Sequence, residues 1–330
     1  MMSKHDKSIS DIDVSVCITT YYHEKYIRQA IESVLNQKFN KTMEICVSDD
    51  ASADGTVEIL NEYKKKYKFF RLNVNKTNVG LTQNMFMAKE MARGKFLVML
   101  SGDDYYIDEY KIQKQYDFLQ NNPDFFGVAT TIELRLDNNN RGTKKYPLKR
   151  YRDKEFRLND FLKGKNFPLS GMMYKNVLID KKSYSLLSMM PRLSKFIDDI
   201  SDSIFLLQIG RVYVLPDCCT VYRVRSKIKN DKNFNSINRG LSNYEKHIEA
   251  LNNLDEYLVG QVSLYYRYKV VLQSFWFKSF LYKQHRRYKE VYKTIPLKYK
   301  KRWLYFRVVI TSILMLPFEI VNKAWRRIHE

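Results

Sequence analysis

The chain has 330 residues, 45% of them apolar, which suffices for one large domain or two ordinary ones with a sizeable core and excludes a disordered or fibrous protein. Its 57 Lys and Arg against 36 Asp and Glu leave a net charge of +21, so the partner is anionic: the phosphates of a small ligand, nucleic acid, or lipid headgroups. Cys17, Cys46, Cys218 and Cys219 form no CxxC pair and read as reduced cytosolic thiols rather than a disulfide framework or metal site, and the polar residues 1–13 carry no apolar stretch that would mark the chain for secretion.

The β-branched apolar run at 14–18 predicts a first strand, ending in the polar loop Thr19-Thr20-Tyr21-Tyr22-His23-Glu24. Ile27, Ala30, Ile31, Val34 and Leu35 recur at helical spacing, so residues 26–37 form a helix with one buried face. A second strand at 43–48 ends in Asp49-Asp50 and turns into a helix bearing Val57, Ile59, Leu60 and Tyr63, capped by Asp54 or Thr56. A weaker strand at 69–73, a turn at Asn78-Val79-Gly80 and a helix over 82–92 lead to the apolar run 96–100. Five apolar residues are too few for a helix and read as a strand buried on both faces, which runs straight into Ser101-Gly102-Asp103-Asp104.

This alternation predicts an α/β fold, a parallel sheet flanked by helices with right-handed crossovers. Ligands of such sheets bind beyond the carboxyl ends of the strands, so three loops bring Thr20, Tyr21, Asp49, Asp50, Asp103 and Asp104 to one rim. Tyr21 could stack on a planar base, and a carboxylate of Asp49-Asp50 could accept hydrogen bonds from a base or a ribose. Asp103 and Asp104 repel each other unless a proton or a divalent cation intervenes; the competing reading is a helix N-cap after a strand. Neither GxGxxG after the first strand nor GxxxxGK[ST] occurs.

Further on, residues 111–119 read as a helix and 127–132 as a strand, 137–143 as an exposed turn, and the basic stretch to Arg157 as a mobile, solvated loop. Residues 167–174 set small residues beside an apolar strand. Asp198, Asp199 and Asp202 stand at the start of an apolar helix, followed by two strand-like runs, 210–215 and 221–225. Carboxylates at a helix start are also favoured by the macrodipole.

Residues 14–22, 47–56, Asn78-Val79-Gly80 and 100–104 resemble, in order, the successive signatures of family 2 glycosyltransferases. The resemblance extends over about two thirds of the chain and implies a Rossmann-like GT-A fold, a nucleotide-sugar donor, a Mg²⁺ or Mn²⁺ ion and inversion at the anomeric carbon. It implies that Thr20, Tyr21, Glu24, Asp49, Asp50, Arg223 and Arg225 bind the donor and that Asp103 and Asp104 serve metal and sugar phosphate. It places Asp202 at the catalytic base, with Asp199 second, and residues 167–174 near the sugar. The chain departs from the pattern at Ser101, where many members carry an acid, and at Arg225, where many carry His.

From residue 226 onward there are 21 Lys or Arg against 8 Asp or Glu, a net +13. The expected organisation is a GT-A domain over 1–225, a linker or lid over 226–240, and a basic amphipathic helical region over 241–330. The apolar run 308–318 is about half a bilayer span, so it would lie in the interface of an anionic membrane rather than cross it. Nucleic acid is set aside, because no helix-turn-helix, zinc or RRM-like pattern accompanies the charge. The expected activity is inverting, metal-dependent sugar transfer to a lipid-linked surface glycan such as capsule, O-antigen or exopolysaccharide, by a cytoplasmic protein peripheral to the inner membrane face. The alternatives are a nucleotide-sugar-binding scaffold without turnover, and a nucleotidyltransferase.

Overall fold

A computed structural model describes residues 11–136, 142–179, 188–194, 199–224, 241–258 and 262–300. The chain forms two compact units, Met1–Phe161 with Lys165–Ile237, and Leu162–Gly164 with Asn238–Glu330.

The first unit opens with β1 (Val14–Thr20), α1 (Ile27–Leu35), β2 (Met43–Asp49), α2 (Thr56–Lys66), β3 (Phe70–Val74), α3 (Leu81–Met91) and β4 (Phe96–Ser101). β3, β2, β1 and β4 pair in that order, all parallel. β1 is buried along its whole length, as a strand covered on both faces has to be. Val14, Val16 and Ile18 share one face with Ile45, Val47, Val98 and Leu100, packed with Ile27, Ile31 and Val34 of α1, Leu60 and Tyr63 of α2, and Ile112 and Tyr116. Helix α3 packs on β1 and β2, where Asn84 reaches Ser48.

The sheet continues through β5 (Tyr105–Tyr106), α4 (Lys111–Asn121), β6 (Phe125–Leu136), β7 (Gly142–Tyr146), β8 (Lys154–Phe156), α5 (Leu158–Leu162), β9 (Met173–Lys175), α6 (Met190–Leu193), α7 (Asp199–Ile209) and β10 (Arg211–Val224). The order after β4 is β9-β6-β10-β5, with β7 on β6 and β8 on β10. β9 runs antiparallel between β4 and β6, and β10 runs parallel to β6.

Two expectations are corrected. The basic stretch up to Arg157 is not a free loop, because β7 pairs antiparallel with Ile132–Arg135 and β8 with Val212–Val214. The runs 210–215 and 221–225 are one strand up to Val224, in which Pro216 and Asp217 fall at an irregularity between Leu215 and Cys218. Of residues 167–174 only the last two lie in a strand. Residues 137–141, Arg225, the stretch 226–240 and the run 308–318 lie outside the described residues.

In the second unit, α8 (Leu241–Tyr257), α9 (Tyr265–Leu281) and α10 (His285–Thr294) bury Leu251, Leu254, Tyr268, Leu272, Phe275 and Tyr288. Among the described residues no helix is long and apolar enough to cross a membrane.

Candidate active site

Parallel register brings three strand ends level. Thr20 pairs with Asp49, and Thr19 with Ser48 on one side and Ser101 on the other. The loops cross-link directly: Asp50 N–H donates to Thr20 O (3.0 Å) and Gly102 N–H to Thr19 O (2.8 Å). A Cβ on Gly102 would lie 2.8 Å from His23 Nδ1 and 2.9 Å from Ile27 Cδ1, so only glycine lets the β4 loop pass. The two neighbouring loops hold left-handed residues without glycine's freedom, Tyr22 (φ 55°) and Ala51 (φ 62°). Such conformations persist where the surroundings over-determine them, and here Tyr22 N–H donates to Ser52 Oγ (2.8 Å).

The acids at the rim do different work. Asp49 is fully buried, and its oxygens accept from Ser52 N–H (2.8 Å) and Ser52 Oγ–H (2.6 Å). Burial raises its carboxyl above the ordinary value, against those hydrogen bonds. Asp50 accepts from Val79 N–H (2.7 Å), Gly80 N–H (3.0 Å) and Asn75 Nδ2 (3.2 Å), and so anchors the Asn78-Val79-Gly80 turn. Tyr21 is half-buried, edge-on to Tyr22 with ring centroids 4.6 Å apart, and burial raises its hydroxyl pKa. Thr20 is buried. Glu24 is exposed, with its carboxylate over Gly55 at the start of α2.

Asp103 and Asp104 differ just as sharply. Asp104 Oδ1 accepts Arg223 N–H (2.9 Å) and Oδ2 accepts Ser170 Oγ–H (3.0 Å). Burial first, and then the Asp103 charge, push its carboxyl well above the ordinary range. Asp103 accepts from Ser101 Oγ–H through Oδ1, while Oδ2 stands 3.8 Å from His23 Nε2. Among the described residues no three His, Cys, Asp or Glu form a metal cage. Hard divalent cations that keep water and phosphate ligands commonly take only one or two carboxylates, and Asp103 fits that donor chemistry with Asp104 behind it.

Arg223 clamps this turn. Its Nε donates to the Asp103 carbonyl (2.8 Å) and Nη2 to Gln29 Oε1 (2.7 Å), with the guanidinium 4.7 Å from the Tyr26 centroid and 5.1 Å from that of Tyr105. Asp202 lies in the first turn of α7, 3% exposed, with Oδ2 2.9 Å from Lys89 Nζ of α3. Helix α7 begins at Asp199, whose side chain lies outside the described residues.

From the sequence no individual role falls to His23, Ser52, Asn75, Asn84 or Lys89, and Ser170 enters only within the small-residue stretch 167–174. Asn84 carried a usable signal, a polar residue on the same helical stripe as Ala88.

The family model described as Glycosyl transferase family 2 matches residues 15–180. The chain is 29% identical over 185 residues to an uncharacterized glycosyltransferase of Methanocaldococcus jannaschii, covering 56% of this chain and 61% of that protein. It spans about a third of the length of the first curated relatives it matches, 32% of each. It is similar to Staphylococcus aureus TarS 1–349 solved with UDP-GlcNAc, at TM-score 0.60 and 19% identity over 87% of this chain and 83% of that one. It is also similar to the mannosyltransferase PcManGT of Pyrobaculum calidifontis solved with GDP-Man and Mn²⁺, at TM-score 0.50 and 14% identity over 95% and 84%. At these identities the likenesses establish the fold, a GT-A sheet.

Proposed function

This chain belongs to glycosyl transferase family 2, and from that premise we propose that it is an inverting, metal-dependent glycosyltransferase moving a sugar from a nucleotide donor to a hydroxyl of a lipid-linked surface glycan. The observation that carries this reading is the register that sets Thr20 level with Asp49 and Thr19 level with Ser101 at the carboxyl edge of one parallel sheet, with Asp103 just beyond. Support comes from TarS, named as a poly(ribitol-phosphate) β-N-acetylglucosaminyltransferase and solved with UDP-GlcNAc, and from PcManGT with GDP-Man and Mn²⁺.

In this mechanism Tyr21 stacks against the base and the Thr20–Asp49–Asp50 floor shapes the nucleotide pocket, with Glu24 at its outer edge. Asp103, backed by Asp104, holds a Mg²⁺ or Mn²⁺ ion, which when bound supplies positive charge against the charge developing on the leaving diphosphate. Arg223 keeps the Asp103–Asp104 turn on β10, and Arg225, two residues on in the sequence, is assigned to the donor phosphates. Asp202 takes the proton of the acceptor hydroxyl as the sugar–phosphate bond breaks on the opposite face, with Asp199 as the second candidate. For Asp202 to do so, acceptor binding has to draw it from Lys89. The cations of the C-terminal helices hold the protein on the cytoplasmic face of an anionic membrane, where a lipid-linked glycan of the capsule, O-antigen or exopolysaccharide kind is presented.

The test is calorimetric titration of UDP-, GDP- and dTDP-sugars into wild type and Asp103→Ala, with and without Mn²⁺, beside an assay of nucleoside-diphosphate release. Metal-dependent binding of one donor, lost in the variant and accompanied by slow release, is the expected result; no binding of any donor overturns the reading. One observation favours a second reading, a donor-binding protein without turnover: Ser101 stands where an acid is usual and is bonded to Asp103. Binding without release supports it, and release of pyrophosphate from a nucleoside triphosphate supplied together with a sugar 1-phosphate identifies a nucleotidyltransferase.

A further inference from the structure

Lys111 opens α4 and is completely buried. Its Nζ donates to Gln115 Oε1 (2.6 Å) and to the Gly171 carbonyl (2.7 Å) and lies 4.4 Å from the centroid of the Tyr106 ring. Gln115 Nε2 donates to the same Gly171 carbonyl (2.9 Å) and to Val128 O (3.0 Å). Two side chains one helical turn apart therefore hold one carbonyl from beneath. A lysine whose hydrogen bonds go to an amide and a carbonyl, not to a carboxylate, is costly to bury, and burial brings its pKa down to about 7.

The carbonyl it holds belongs to a tight turn. Gly171 has φ +74°, and a Cβ there would come 2.7 Å from Thr220 Oγ1 and 2.9 Å from Lys111 Cε. Gly171 N–H is fixed on Met99 O (2.7 Å). The preceding residue, Ser170, donates to Asp104 Oδ2, whose partner oxygen accepts Arg223 N–H. One continuous set of contacts thus runs from Lys111 and Gln115 through the Ser170–Gly171 turn to the carboxylate behind Asp103.

We propose that Lys111 is a positioning residue for the donor and metal rim: with Gln115 it fixes the Gly171 carbonyl, and through Ser170 it sets the orientation of Asp104 and the turn that carries Asp103. Its functional meaning rests on the glycosyltransferase reading; its structural content does not.

The test compares full-length wild type with Lys111→Met, Ser170→Ala and, as a control in the same helix, Ile112→Val. Amide hydrogen exchange of the peptide covering residues 219–224 reports the Arg223 N–H to Asp104 bond, and electron paramagnetic resonance of free Mn²⁺, with and without UDP, reports the metal site. Lys111→Met and Ser170→Ala should both speed exchange in that peptide and weaken Mn²⁺ binding by about tenfold, as changes behind a ligand do. Their double variant should lose no more than the worse single one, and Ile112→Val should leave both readouts alone. Should Lys111→Met fail to fold, Gln115→Leu removes the second clasp and carries the same expectation. Unchanged exchange in the Lys111 or Gln115 variant, or losses that add with Ser170→Ala, overturns the proposal. A wild type that binds no Mn²⁺ sinks the metal reading instead, and the exchange data alone then decide on Lys111.

Discussion

Lys89 Nζ lies 2.9 Å from Asp202 Oδ2, and the two side chains are 3% and 4% exposed, so an ion pair sealed from solvent joins α3 to the first turn of α7. The partners are 113 residues apart in the chain. Removing one member leaves the other charged and desolvated, which costs about 3–5 kcal/mol, whereas an apolar pair of similar volume restores much of the loss. Lys89→Met should therefore lower the denaturant midpoint strongly, and Lys89→Met with Asp202→Leu should fall less than the sum of the single losses. Additive losses would mean that the pair is not coupled.

Asp50 looks from the sequence like a ligand for the donor, yet its oxygens accept from Val79 N–H, Gly80 N–H and Asn75 Nδ2. Hydrogen bonds to a buried carboxylate are among the strong ones, so Asp50→Ala should cost about 2–4 kcal/mol. The loss is local: amides at 75–80 should exchange faster while β4 stays protected. Weakened donor binding with unchanged exchange at 75–80 would instead assign Asp50 to direct contact.

The difference between Asp50 as it reads and Asp50 as it stands marks how far the sequence was legible. β1, β2 and β4 announce themselves through β-branched and apolar runs, and the acids that follow them do lie at one edge. Which acid turns inward depends on backbone conformation in the loops, such as Ala51 at φ 62°, and no composition rule encodes that. Lys154–Phe156 reads as loop because its partners are remote, nearly sixty positions later. Lys89 and Lys111 were invisible for another reason: periodicity assigns lysine to solvent, and only the tertiary neighbours reveal a buried one.

Gly102 tests how tightly the rim is built. A Cβ there would meet His23 Nδ1 at 2.8 Å, Ile27 Cδ1 at 2.9 Å and Thr20 Cβ at 3.0 Å. Overpacking of this kind costs about 1–3 kcal/mol, and here the displaced segment carries Asp103 and Asp104. Gly102→Ala should fold with a modestly lowered midpoint but lose donor-dependent Mn²⁺ binding. Binding equal to wild type would show that the loop has slack that these distances deny.

Lys111 gives the pH dependence a definite sign. Its amine titrates at about 7 in the folded chain, against about 10.4 for an ordinary lysine. Below pH 7 both states carry the proton and the folded protein bears the whole cost of a buried ammonium. Between the two values the unfolded chain binds a proton that the folded chain has shed, so this lysine makes stability rise with pH across that window and flat above it. Of the ionisable groups nearby, Cys219 is pushed up to about 12 by burial and stays protonated for most of the window, burial raises the Tyr106 hydroxyl beyond it, and Asp108 is lowered and stays ionised. The slope is therefore isolated by comparing wild type with Lys111→Met in urea at about pH 6.5 and about pH 9.5. Wild type should gain stability relative to the variant on going to the higher pH. A difference independent of pH would mean that the Lys111 ammonium keeps its proton in the fold, held by Gln115 and Gly171 more strongly than burial opposes it.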